Sequence, residues 1–134
     1  MAKAKICNFG EHFMIDGYGG SYEMLDDKNL VMSALTELPD KLKMKKLSKP
    51  YVFKAVDNEI KDPGGWSGFV VIAESHISVH TFPARKFVSI DVYTCTNDID
   101  CDFIKKYFKK LFKLKKIEEN FVKRGTEYPA QNLC

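Results

Sequence analysis

The chain has 134 residues, 45% of them apolar and 29% charged, and a formal net charge of +3. That length supports one domain with its own core, and so small a charge excess argues against a polycationic nucleic-acid-binding tail. No apolar run reaches the length of a membrane span.

Met1-Ala2-Lys3-Ala4-Lys5 leads into no apolar signal segment, so the expectation is a cytoplasmic protein. Cys7, Cys95, Cys101 and Cys134 show no CxxC spacing, so neither a disulfide framework nor a metal site is expected. Lysines crowd residues 41–49 and 105–116, but they interleave with apolar residues at helical spacing and read as solvated helix faces.

Residues 11–18 read as a first strand ending at the Gly19-Gly20 turn signal. Asp26 or Asp27 caps a helix starting near Lys28, with Leu30, Val31, Ala34, Leu35 and Leu38 as its apolar stripe. Pro39 is expected to end or kink that helix, with residues 40–47 continuing it at an angle. Residues 50–56 form a strand, and 58–65 a polar loop closed by Pro63-Gly64-Gly65. Strands follow at 67–75, 76–82 and 87–95, the last two joined by a four-residue turn. Asn97 or Asp98 caps a final helix that turns Ile104, Tyr107, Phe108 and Leu111 inward. Residues 117–122 form a closing strand before a loop-like tail. Strands interleaved with two helices and joined by short turns predict an α+β fold. It is a two-layer sandwich with the helices on one face of a mostly antiparallel sheet.

The densest chemistry lies at Glu74-Ser75-His76-Ile77-Ser78-Val79-His80-Thr81-Phe82-Pro83. Core-building strands have no use for so many polar groups, since each needs a partner. Strand alternation puts His76, Ser78 and His80 on one face. A regular hairpin then sets Phe82 opposite Phe87, His80 opposite Ser89, Ser78 opposite Asp91 and His76 opposite Tyr93, with Cys95 ending near Ser75. A serine hydrolase is disfavoured because no Gly-x-Ser-x-Gly elbow occurs. A cysteine–histidine nucleophile pair lacks any local signature.

The run Ser67-Gly68-Phe69-Val70-Val71-Ile72-Ala73 leading into this stretch, followed by Asp91-Val92-Tyr93-Thr94-Cys95, closely resembles the small, prokaryotic S-adenosylmethionine decarboxylases. Gly10-Glu11-His12, Asp16-Gly17-Tyr18-Gly19 and Arg124-Gly125 extend the resemblance more weakly. It implies a single domain, residues 1–134, that cleaves itself between Glu74 and Ser75 into a β chain, 1–74, and an α chain, 75–134. Ser75 becomes a covalent pyruvoyl cofactor that forms a Schiff base with the substrate amine. His80 is the implied base for removing the Ser75 α-proton, Ser67 assists processing, and Cys95 is the implied proton donor after loss of CO2. His76 neighbours the cleaved bond. The family's first strand offers Glu11 as a substrate carboxylate. The resemblance also implies a homodimer of cleaved protomers, with active sites near the interface, serving spermidine and other polyamine synthesis.

Two positions depart from the family pattern. Ala84 stands where a ribose-binding glutamate is usual, and Lys61 where an adenine-stacking aromatic is usual, with Trp66 and Phe53 nearby. A pyruvoyl-dependent arginine or ornithine decarboxylase on the same fold is therefore the alternative substrate reading. An inactive regulatory paralogue and a lysine-helix nucleic-acid module are the more distant ones.

Overall fold

The computed structural model describes residues 8–56, 58–60 and 63–129. Six strands form one fully antiparallel sheet: β1 (Gly10–Tyr18), β2 (Tyr51–Ala55), β3 (Gly65–Ile72), β4 (Ser75–Phe82), β5 (Phe87–Thr94) and β6 (Lys116–Arg124). Their spatial order is β2-β3-β4-β5-β1-β6. Helices α1 (Tyr22–Leu25), α2 (Lys28–Lys41) and α3 (Cys101–Phe112) cover one face. This is the α+β sandwich expected from the sequence.

Alternation along the central strands divides the sheet into two faces. Phe13 and Ile15 of β1, Val70 and Ile72 of β3, Ile77 and Val79 of β4 and Val88, Ile90 and Val92 of β5 are essentially fully buried. They meet Val31, Ala34, Leu35 and Leu38 of α2 and Ile104, Phe108 and Phe112 of α3. Each such side chain contributes about 1.5–3 kcal/mol on burial. The intervening residues of the same strands form an open face that no helix covers.

The β4–β5 register is the one the hairpin argument required: Phe82 pairs with Phe87, His80 with Ser89, Ser78 with Asp91 and His76 with Tyr93. The connecting turn is a 3-10 turn, Pro83–Arg85, closed by Lys86 in the left-handed region. Gly65 is required where β3 begins. Its φ is +153°, and a Cβ there would sit 1.9 Å from the Thr81 carbonyl oxygen.

Several boundaries differ from the sequence reading. Of the two expected caps of α2 it is Asp27 that serves, accepting from the Leu30 N–H at 3.1 Å. Pro39 lies within α2, which runs two residues further, because in the last turn its missing N–H leaves few helical bonds unmade. Residues 42–48 do not continue as a helix. They run beside the end of β3, where Lys46 bridges Ile72 and the Leu47 N–H donates to the Val71 carbonyl at 2.8 Å. Helix α3 is capped by Asp100, whose carboxylate accepts from the Phe103 N–H at 3.1 Å; Asp98, with φ +67°, cannot open a helix. The strand expected over 67–75 stops at Ile72, and Ala73-Glu74 make a turn. Cys7, Lys61 and Cys134 lie outside the described residues.

Candidate active site

The Glu74–Ser75 bond sits where the β3–β4 turn enters β4. Ser75 pairs with Ile72 on one side and Thr94 on the other. Its φ is +150°, a region that side-chain-bearing residues avoid, so the backbone is strained at this bond. The Glu74 carbonyl accepts a hydrogen bond from the Cys95 N–H at 2.7 Å. A donor fixed on that oxygen polarises the carbonyl and is placed to stabilise an oxyanion forming there. The Cys95 thiol is free and exposed, one residue beyond the end of β5. Oε2 of Glu74 is buried with no hydrogen-bond partner among the described residues, which leaves an acceptor open beside the bond.

Ser67 and His80 pair across β3 and β4, and their side chains hydrogen-bond, Oγ to Nδ1, at 3.0 Å. Strand geometry separates this pair from Ser75. His80 lies five residues further along β4, a span of about 16 Å. The chain therefore brings the Cys95 N–H to the Glu74–Ser75 bond, while Ser67 and His80 lie well along the strand from it.

The open face carries rows of polar and aromatic side chains. One row runs Phe53, Ser67, His80, Ser89 and Asp16 across β2, β3, β4, β5 and β1. Ser89 Oγ donates to Asp16 at 3.3 Å. A second centres on Asp91, which accepts from His12 Nε2 at 2.9 Å and from Ser78 Oγ at 3.4 Å. A third sets the ring of His76 edge-on and that of His12 tilted against Tyr93, 5.5 and 5.6 Å between centroids, with the Arg124 guanidinium 4.4 Å from the Tyr93 ring centre. Partial desolvation, and then the proximity of His12, hold the His76 pKa below its usual 6.5, so its ring is neutral at neutral pH. Among the described residues no group of three or more side chains is arranged to hold a metal ion.

Two sequence-based assignments change. Glu11 cannot meet substrate on the open face: it turns toward the helices, is 5% exposed, and accepts from the Ile99 N–H at 2.9 Å. Trp66 also faces the helix layer, its Nε1–H donating to the Asp26 carbonyl at 3.0 Å, so it is not the aromatic beside Ser67. Phe53 is that aromatic, 59% exposed and directly opposite Ser67. His12 partners Asp91 on the open face. Ala84 lies exposed on the 3-10 turn and lines a cavity of about 330 Å3 with Tyr22, Asp26 and Lys54. Sequence alternation alone located the His76–His80 row. Trp66 shares the facing of Val70 and Ile72 along β3, but its bond to the Asp26 carbonyl had no sequence signal, because it depends on the α1–α2 corner.

The family profile described as S-adenosylmethionine decarboxylase matches residues 11–125. The chain is similar to the S-adenosylmethionine decarboxylase proenzyme of Clostridium botulinum strain Langeland, at 31% identity over 116 residues, covering 87% of this chain and 94% of the relative. It is also similar to the proenzyme of that name from Pyrococcus furiosus, at 34% identity over 118 residues, 88% and 80% of the two chains. Its fold matches the crystal structure of the adenosylmethionine decarboxylase from Aquifex aeolicus VF5, with a TM-score of 0.75 at 26% identity over 89% of this chain and 92% of that one. With the sheet, the strained Glu74–Ser75 turn and the Cys95 contact already in view, these matches establish that the chain belongs to the S-adenosylmethionine decarboxylase family.

Proposed function

We propose that this protein is a self-processing decarboxylase of S-adenosylmethionine, acting in the cytoplasm in polyamine synthesis and assembled as a homodimer. The observation that carries the reading is the strained Glu74–Ser75 bond with the Cys95 N–H already on its carbonyl. Ser75 Oγ attacks the Glu74 carbonyl carbon, the C–N bond breaks, and the hydroxyl proton passes to the released amine. Removal of the Ser75 α-proton then expels the Glu74 carboxylate, and water replaces the nitrogen as ammonia. The residues present fit that chemistry: a serine on a strained backbone, an oxyanion donor and a thiol beside it. The pyruvoyl group so formed supplies the electron sink for loss of CO2. The Cys95 thiol is the reading's proton donor to the product carbon.

His80, with Ser67, is the reading's processing base, and the distance along β4 favours its coming from a second copy. The open face supports this, because Tyr51, Phe53, Phe69 and Val71 lie exposed on it at 50, 59, 39 and 37%. Packing two open faces about a two-fold axis buries this apolar surface. The same packing can bring the Ser67–His80 end of one β4 to the Ser75 end of the other. Phe53 of the second copy then offers an aromatic face to the adenine, and the open Oε2 of Glu74 awaits a donor from substrate or partner.

Mass spectrometry of the purified protein tests the processing. Two fragments divided between residues 74 and 75, with a blocked serine-derived terminus, are expected; an intact 15.4 kDa chain sinks the reading. Ser75→Ala is expected to remain uncleaved. Ala84, where a ribose-binding carboxylate is usual, favours testing a second substrate reading. CO2 release from S-adenosylmethionine, arginine and ornithine in parallel decides it, with S-adenosylmethionine expected to react.

A further inference from the structure

We infer that Glu11 is a positioning residue: its buried carboxylate holds the loop of residues 95–100 so that Cys95 keeps its N–H on the Glu74 carbonyl. The inference rests on the reading of Cys95 and the Glu74–Ser75 bond given above.

Glu11 is the only charged side chain among the buried described residues. It occupies a β1 position where alternation calls for an apolar side chain, between the helix-facing Phe13 and the chain start. A carboxylate buried there is costly unless it makes bonds that a leucine cannot. The bond it makes is to the Ile99 N–H, at 2.9 Å. Ile99 follows Asp98, whose φ of +67° is unfavourable without support from outside the loop.

The loop is held at two further points. Thr94, wholly buried and opposite Glu11 in the β1–β5 register, accepts from the Thr96 N–H at 3.0 Å. Asn8 donates from Nδ2 to Asn97 Oδ1 at 2.8 Å. Gly10, the neighbour of Glu11, presses on the loop's first residue: a Cβ at Gly10 would lie 2.7 Å from the Cys95 Cα and 2.1 Å from the Thr94 carbonyl oxygen. The start of β1 thus fixes Cys95 from below while Glu11 anchors the far end of the loop. The Cys95 N–H held in this way donates to the Glu74 carbonyl at 2.7 Å.

The test uses the full-length chain with Glu11→Ala, Glu11→Gln and Glu11→Asp. Cleavage of newly synthesised proenzyme is followed by mass spectrometry, amide exchange is read at residues 95–100, and kcat and KM are measured on processed enzyme. In Glu11→Ala, cleavage and kcat are each expected to fall about tenfold with KM within about twofold, and the loop amides to exchange faster while those of β3 and β4 do not. Glu11→Gln keeps an acceptor oxygen in place and is expected to recover most of the loss. Wild-type cleavage and kcat in Glu11→Ala overturn the inference, as does a Glu11→Gln variant as defective as Glu11→Ala. If Glu11→Ala does not fold, the order of the other two decides. A defect in Glu11→Asp with recovery in Glu11→Gln supports positioning by reach, and the reverse order overturns it. Unchanged turnover in Cys95→Ala sinks the proton-donor reading instead, and leaves the cleavage measurement to judge Glu11 alone.

Discussion

At the scale of single residues, Cys95 has two separable parts. Its backbone N–H sits on the Glu74 carbonyl, and its thiol is free and exposed. Replacing the side chain leaves the N–H in place. Cys95→Ala is therefore expected to process into two chains, while its kcat drops by about 10²–10⁴, the usual size of a lost proton-transfer group. Gel analysis and CO2 release measured on the same preparation check both halves. Failure to cleave would show that the thiol, rather than the backbone, serves the first reaction. The density of polar groups from Glu74 to His80 was legible in the residues themselves, while the reading of Glu74–Ser75 as a bond to be broken came from the family resemblance. The strain at Ser75 was not legible, because φ at that point is dictated by the Ala73-Glu74 turn and by pairing on both sides.

At the scale of elements, α3 illustrates how periodicity becomes packing. Asp100 starts the helix in a phase that sends Ile104, Phe108 and Phe112 onto the sheet, all fully buried. Phe108→Ala is expected to cost about 3–5 kcal/mol of unfolding free energy, measurable by urea denaturation. Tyr107, on the flank of the same helix, donates to Glu37 of α2 at 3.4 Å. Partial burial, and then the Glu37 carboxylate, push its pKa from 10.0 up to about 12. The folded state therefore holds the phenolic proton more tightly than the unfolded chain. That contribution is complete below pH 10 and is lost as pH rises toward about 12. Subtracting the pH–stability curve of Tyr107→Phe from that of the wild type should leave a decline confined to this window. A flat difference would remove the Glu37 contact from the account of how α2 and α3 are joined.

At the scale of the whole molecule, β4 carries Ser75 and His80 well apart. Ser75 opens the strand, and His80, paired with Ser67, lies about 16 Å along it. If His80 acts on a second copy, mixed dimers of Ser75→Ala and His80→Ala contain one competent Ser75 and one competent His80 that can meet. Co-expression is expected to yield cleaved His80→Ala chains, identified by mass, whereas either variant alone stays intact. No cleavage in the mixture would mean that His80 serves its own chain.

Local chemistry made much of this protein readable from its sequence. Alternation in β4 and β5, a four-residue turn and matched phenylalanines at 82 and 87 were enough to set the hairpin register, because a one-residue slip would expose Ile77, Val79, Ile90 and Val92 to water. The α+β layering followed from the same apolar pattern. Tertiary structure alone decided what depends on distance between elements or on the path of a turn. It gave the Glu11 carboxylate the Ile99 N–H and the Trp66 indole the Asp26 carbonyl, set Phe53 opposite Ser67, and drew the Cys95 N–H onto the Glu74 carbonyl. It also kept His80 about 16 Å along β4 from Ser75, since an extended strand cannot fold back on itself.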